Sequence, residues 1–296
     1  MRPFQTFLNF NLLTGCLLFA SLVIAADLER ENMLAEAVIN STAKIEPQWL
    51  ETKNGRFLSL FNHNVTGTLQ GGVIILPPLG GHPNWQGAVH HLRTSLPHYG
   101  WATLAIQMPV LNSRSTLNDY AGTLSEATDR IDAALAFMHS KGIRYISLIG
   151  NGLGAAAGAA YLAAKQTPDI QTFIGISMSG YTEVGGWLYS PNSISKLSLP
   201  TLDLYGNRDH YHVSNSAEAR ALAASQATMR IPENSKQALS ARPDTNATVA
   251  IRHSANIPFR STKITGADSS YSGQENQLLK NIVGWLRQYA KGISGT

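Results

Sequence analysis

Hydrophobic positions along this chain follow two rhythms that alternate. Short apolar runs, several rich in β-branched residues, lie at 72–76, 101–106, 145–149, 172–177 and 200–205, with a further strand-like run at 259–265. Runs of that length predict strands, most of them buried on both faces. Between them apolar residues recur every three or four positions. Trp85, Val89 and Leu92 mark a helix over 84–96. Tyr120, Leu124, Ala127, Ile131, Leu135 and Met138 mark the clearest one, over 117–141. Leu278, Leu279, Ile282, Trp285, Leu286 and Tyr289 mark the last, over 274–289. Residues 28–44 and 215–224 also read as helical, the former loosely docked. Residues 56–61 and 66–69 flank the turn-like Asn62-His63-Asn64 and predict an opening hairpin. Strands alternating with helices after a hairpin predict an α/β fold: a mostly parallel sheet, an antiparallel N-terminal edge and helices on both faces.

The centre of the pattern is 145–165, YISLIGNGLGAAAGAAYLAAK. An apolar strand runs into Gly150, Gly152 and Gly154, then into a helix of small residues that can approach a sheet closely. Two motifs share this outline. One is the dinucleotide fingerprint G-x-G-x-x-G/A, which Gly150–Ala155 satisfies literally. The other is the nucleophile elbow G-x-S-x-G, satisfied everywhere but at the nucleophile, where Gly152 stands in place of serine. A dinucleotide site needs a carboxylate at the end of the next strand. That strand ends in Ser177-Met178-Ser179-Gly180, so a nucleotide-binding oxidoreductase is the weaker alternative and no cofactor is expected.

Composition narrows the classes. Of 296 residues, 44% are hydrophobic and 14% charged, which suits one large domain, and the net charge of +4 comes without a Lys/Arg run, which argues against nucleic acid as a partner. Residues 1–26 carry Arg2, an apolar core and small residues at Val23-Ile24-Ala25 or Ile24-Ala25-Ala26 before the polar Asp27-Leu28-Glu29-Arg30-Glu31. They read as a secretory signal, with a membrane anchor over residues 7–26 as the alternative. Leu13-Thr14-Gly15-Cys16 also has the look of a lipobox, but the apolar core continues past the cysteine. Cys16 is the chain's one cysteine, so a cleaved chain has no disulfide and no thiolate site. The expected organisation is a signal over 1–26, an N-terminal segment over 27–54, and a domain over 55–290 with a polar, mobile excursion over 226–257. The expected location is the periplasm or another exported one.

The hydrolase outline places an acid after a late strand and a histidine after the last one. Tyr205-Gly206-Asn207-Arg208-Asp209 fits the first position. Gly266-Ala267-Asp268-Ser269 fits the second, with Ser269 where a histidine would stand. With Pro78-Leu79-Gly80-Gly81-His82-Pro83-Asn84-Trp85, residues 100–109 and the Gly152 turn, these segments make the chain similar to the α/β-hydrolase superfamily over about residues 55–290. More closely, it resembles a group of exported bacterial α/β-hydrolase-like proteins classed as a domain of unknown function. The resemblance implies that the group's members also lack the elbow serine. It further implies a histidine after the aspartate matching Asp268, from which Ser269 departs.

The chemistry follows from the residues present. A Ser-His-acid triad needs a nucleophile, a base and an orienting carboxylate, and this chain offers Gly152, Ser269 and Asp209. The leading expectation is therefore a non-catalytic binding or interaction protein of the cell envelope, with an unidentified small molecule or envelope protein as its partner. The alternative is an esterase-like hydrolase with displaced residues such as His82, Ser179 and Asp209. The candidate pocket is Gly81, His82, Ser179, Asp209 and His210. His82 also has a plainer reading as a loop histidine bonded to backbone, and Ser179 as a serine capping a turn. Asp209-His210-Tyr211-His212 is too local a cluster to predict a metal site.

Overall fold

The computed structural model describes residues 26–41, 46–229 and 257–290. Among these, eight strands form one sheet: β1 (Pro47–Thr52), β2 (Gly55–Asn62), β3 (Gly71–Leu76), β4 (Trp101–Ile106), β5 (Ile146–Asn151), β6 (Ile170–Ile176), β7 (Thr201–Gly206) and β8 (Phe259–Ile264). Their spatial order is β1-β2-β4-β3-β5-β6-β7-β8, antiparallel at β1/β2 and β2/β4 and parallel elsewhere. The helices are α1 (Leu28–Ser41), α2 (Ala88–Ser95), α3 (Leu117–Tyr120), α4 (Leu124–Ser140), α5 (Leu153–Lys165), α6 (Pro191–Ile194), α7 (Tyr211–Ser214), α8 (Ala217–Met229) and α9 (Glu275–Tyr289).

The period of two along each strand sorts the core into two layers. Ile74, Leu104, Leu148 and Phe173 face α4 and α5. Val73, Ile75, Ala105, Ile149 and Ile174 face α2 and α9. Gly158 lets α5 lie against the sheet, since a Cβ there would meet Phe173, Leu148 and Leu76 side chains at 3.1–3.2 Å. Trp285 of α9 is buried, and its indole N–H donates to Thr172 Oγ1 at 2.7 Å, so the polar tip is satisfied inside the core.

Three elements differ from the sequence expectation. The hairpin pairs β1 with β2, Thr52 opposite Gly55 across a two-residue Lys53-Asn54 turn. The predicted partner segment, 66–69, instead bonds outside the sheet: the flanking Val65 and Gln70 N–H groups donate to the Pro97 and Gly100 carbonyls. Asn54-Gly55 is the stronger turn signal. Because β1 belongs to the sheet, the domain begins before residue 55. The helix over 117–141 is broken: Ala121–Thr123 form a 3₁₀ turn around Gly122, and Thr123 Oγ1 donates to the Tyr120 carbonyl. Finally, α1 is firmly docked. Glu31, Ala35 and Val38 are buried, and Glu31 joins Arg130 and Glu126 of α4 in an ion cluster. Most of the 226–257 excursion lies outside the described residues, and α8 extends through its first positions to Met229.

Candidate functional site

The turn at the end of β5 is built by three glycines doing different jobs. A Cβ on Gly150 would run into the Ala155 backbone, and one on Gly154 into the Pro77 and Leu76 carbonyls. Both therefore allow β5, α5 and the β3 loop to close on one another. Gly152 has space: the nearest atom to a Cβ there is Pro78 Cβ at 3.3 Å. What Gly152 supplies is backbone freedom, with φ +56° and ψ −118°, a region that residues with a Cβ enter only under strain. Its N–H donates to the Ile176 carbonyl at 2.8 Å. The strand-to-helix geometry of a nucleophile elbow is thus complete without a side chain at its apex.

A narrow cleft of about 20 Å³ opens beside the turn, lined among others by Pro78, Leu79, Met108, Tyr120, Leu153 and Trp187. It is mostly apolar. Gly81 sits at its edge, and the Gly81 carbonyl is held by Gln107 Nε2 at 2.8 Å, which fixes the β3 loop. The N–H of Leu153, first residue of α5, is one of those a helix cannot satisfy internally.

The late-strand loops converge on a second cluster. Asp209, after β7, accepts from Ser177 Oγ in a short hydrogen bond and from the Gly206 N–H at 3.2 Å through Oδ2, and from the His210 N–H at 2.9 Å through Oδ1. Ser177, after β6, is buried and carries φ +48°, strained for a residue with a side chain. Its Oγ also lies 3.3 Å from the buried Tyr271 hydroxyl, which donates to the Leu204 carbonyl. Burial pushes the Tyr271 phenol well above the ordinary tyrosine range, so it stays a neutral donor. The Asp209 carboxylate is thus satisfied by a serine and two backbone N–H groups.

The structure separates the candidate residues. Ser269, after β8, meets His210 Nε2 at 3.3 Å. His210 in turn stacks on His212 at 5.5 Å, and His212 on Tyr181 at 4.2 Å. Burial pushes the His212 imidazole below its usual value, reinforced by the neighbouring His210. Ser179 is buried beside Tyr181 and bonds to it rather than to Asp209. His82 is half-buried. Its Nδ1 accepts from the Asn84 N–H at 3.2 Å, its carbonyl accepts from the Trp85 N–H, and its ring lies edge-on to Trp85. Burial also lowers its pKa. His82, Ser179 and Asp209 thus each have other partners. The sequence reading missed Ser177, Tyr271 and Tyr181, and weighed His212 only as part of a local cluster. Ser177 sits where a strand ends and carried a visible signal; Tyr271 and Tyr181 are brought in by long-range packing. Among the described residues, no group of three or more His, Cys, Asp or Glu side chains is placed to hold a metal.

The family model described as a protein of unknown function, DUF3530, matches residues 21–129 and 122–250. The chain belongs to that family. Among solved structures it is similar to Est1E from Butyrivibrio proteoclasticus, at 13% identity and TM-score 0.54 over 82% of this chain and 98% of that one. It is similar to the esterase Pf2001 from Pyrococcus furiosus, at 12% identity and TM-score 0.58 over 83% and 93%. It is also similar to the esterase domain of a Rhodothermus marinus protein, at 15% identity and TM-score 0.55 over 83% and 99%. At these identities the likeness is one of fold, and that fold is the α/β-hydrolase fold. No curated protein matches the sequence. In this fold Gly152 follows β5, Asp209 follows β7 and Ser269 follows β8.

Proposed function

We propose that this DUF3530 member is an exported, non-catalytic binding protein that uses the apolar cleft beside Gly152 to hold a small ligand in the cell envelope. The observation that carries the reading is the state of the three triad positions. Gly152 has no nucleophile, Ser269 has no base, and the Asp209 carboxylate is occupied by Ser177 and backbone N–H groups. Loss of a triad member removes orders of magnitude of rate. The scaffold that remains offers a narrow, mostly apolar cleft with the start of α5 at its edge, against which a ligand with an apolar body and a polar end would dock.

The test is hydrolysis of p-nitrophenyl acyl esters by the mature protein, beside Gly152→Ser combined with Ser269→His. The wild type is expected at buffer background and the double variant above it. Binding is read separately, from Trp187 fluorescence during titration with short-chain fatty acids, using Trp187→Phe as the control. Saturable quenching without turnover supports the reading. A second reading, an esterase with displaced residues, draws on the Ser269–His210 pair. Wild-type turnover abolished by Ser269→Ala or His210→Ala would establish it and overturn the first.

A further inference from the structure

Among the described residues, the ion cluster between α1 and α4 sets two carboxylates against one cation. Arg130 donates through Nη2 to Glu31 Oε2 at 2.9 Å and to Glu126 Oε1 at 2.5 Å, and through Nη1 to the Gln107 carbonyl at 3.2 Å. All three charged side chains are nearly inaccessible, 2%, 6% and 7% exposed for Arg130, Glu31 and Glu126. Two carboxylates against one guanidinium leave a buried excess of negative charge, which is costly without a partner. Glu31 Oε1 is taken by the Val110 N–H at 2.9 Å. Glu126 Oε2 is taken by the backbone N–H of Ala26, at 3.3 Å.

We infer that Ala26 is the N-terminus of the mature protein and that its freed α-ammonium is the missing cation. Water, delivered by a leader peptidase, splits the Ala25–Ala26 amide. The carboxylate leaves on Ala25 with the leader, and the amine, protonated, stays on Ala26 beside Glu126. Val23 and Ala25 are the small residues such a cut needs at the third and first positions before it. The alternative cut after Ala26 places the new charge on Asp27, whose N–H meets a neutral group, the Val110 carbonyl, at 2.7 Å. It also removes the donor from Glu126. The remaining charged groups here already have backbone partners. Arg30 Nη1 donates to the Leu111 carbonyl, and Asp27 Oδ1 accepts from the Arg30 N–H. Removal of the leader therefore does more than release the chain: it neutralises the cluster that fastens α1 to the domain.

The inference rests on the export reading above and is independent of whether the protein is catalytic. The full chain is expressed in a bacterial host, the exported protein is purified, and its N-terminus is read by mass spectrometry. A chain beginning at Ala26 is expected. Thermal unfolding at pH 7 is then compared between that chain and the same chain acetylated at Ala26, which keeps the N–H and removes the charge. The free amine should melt higher by about 2–4 °C, the shift that one ion pair gives in a domain of this size. The gap should close in Glu126→Gln. The acetylation pair keeps every side chain native, so it stands even where Glu126→Gln fails to fold. A start at Asp27 or elsewhere, or equal melting of the free and acetylated chains, overturns the inference and leaves export intact. A leader retained on a chain found in the envelope overturns the inference alone; a chain that keeps its leader and stays in the cytoplasm overturns both.

Discussion

At the scale of single residues, the three glycines of the β5 turn make separable predictions. Gly154→Ala pushes a methyl group into the Pro77 and Leu76 carbonyls. Overpacking against backbone should destabilise the protein by about 1–3 kcal/mol or more in urea unfolding. Gly152→Ser meets only Pro78 Cβ at 3.3 Å but inherits φ +56° and ψ −118°. It should fold, at a cost of about 1–3 kcal/mol of backbone strain. Gly152→Ala should lose as much as Gly152→Ser, because the cost there is conformational; a Gly152→Ala protein as stable as the wild type would refute that reading. The sequence motif displayed all three glycines, yet only tertiary contacts assign them different roles.

At the scale of elements, the loops after β6 and β7 depend on one buried pair. Arg220 of α8 donates through Nε to Asp203 of β7 at 3.0 Å and through Nη1 to the Met178 and Val213 carbonyls and Ser216 Oγ, with both charged side chains fully buried. Met178 adjoins Ser177 and Ser179, so this guanidinium positions the rim that holds Asp209. Arg220→Ala leaves Asp203 buried without its cation and should cost about 3–5 kcal/mol. The helical reading of 215–224 announced α8, but Arg220 gave no sign in the sequence of being an interior residue. A charge on a helix is usually solvated, and only the packing of α8 over β7 reverses that.

At the scale of the whole molecule, burial acts on several imidazoles in the same direction. His82, His91 and His212 all have pKa values held below the ordinary value, chiefly by burial. The unfolded chain then binds more protons than the folded one below about pH 6.5. Stability is fully present above that value and falls as the pH drops through the folded-state values. The urea midpoint should be lower at pH 5.5 than at pH 7.5, and combining His82→Gln with His212→Gln should flatten the difference. A midpoint independent of pH over that range would refute the linkage. Among the described residues no helix is long and apolar enough to cross a membrane.

The order of strands and helices, the antiparallel start and the glycine turn were all legible in the sequence. Each is a local matter of hydrophobic period, or of a motif tied to the end of a strand. Burial of apolar runs and the handedness of crossovers then leave few arrangements of such elements. The hairpin was misplaced because two turn signals competed nearby, and the sheet turned at Lys53-Asn54. The partners of the site were decided by tertiary structure alone. Ser177 reaches Asp209 across 32 residues of chain, Tyr271 reaches Ser177 across 94, and His210 reaches Ser269 across 59. Sequence period says which face of an element is buried. It carries no information about which polar groups, far apart in the chain, will be left together once the faces have closed.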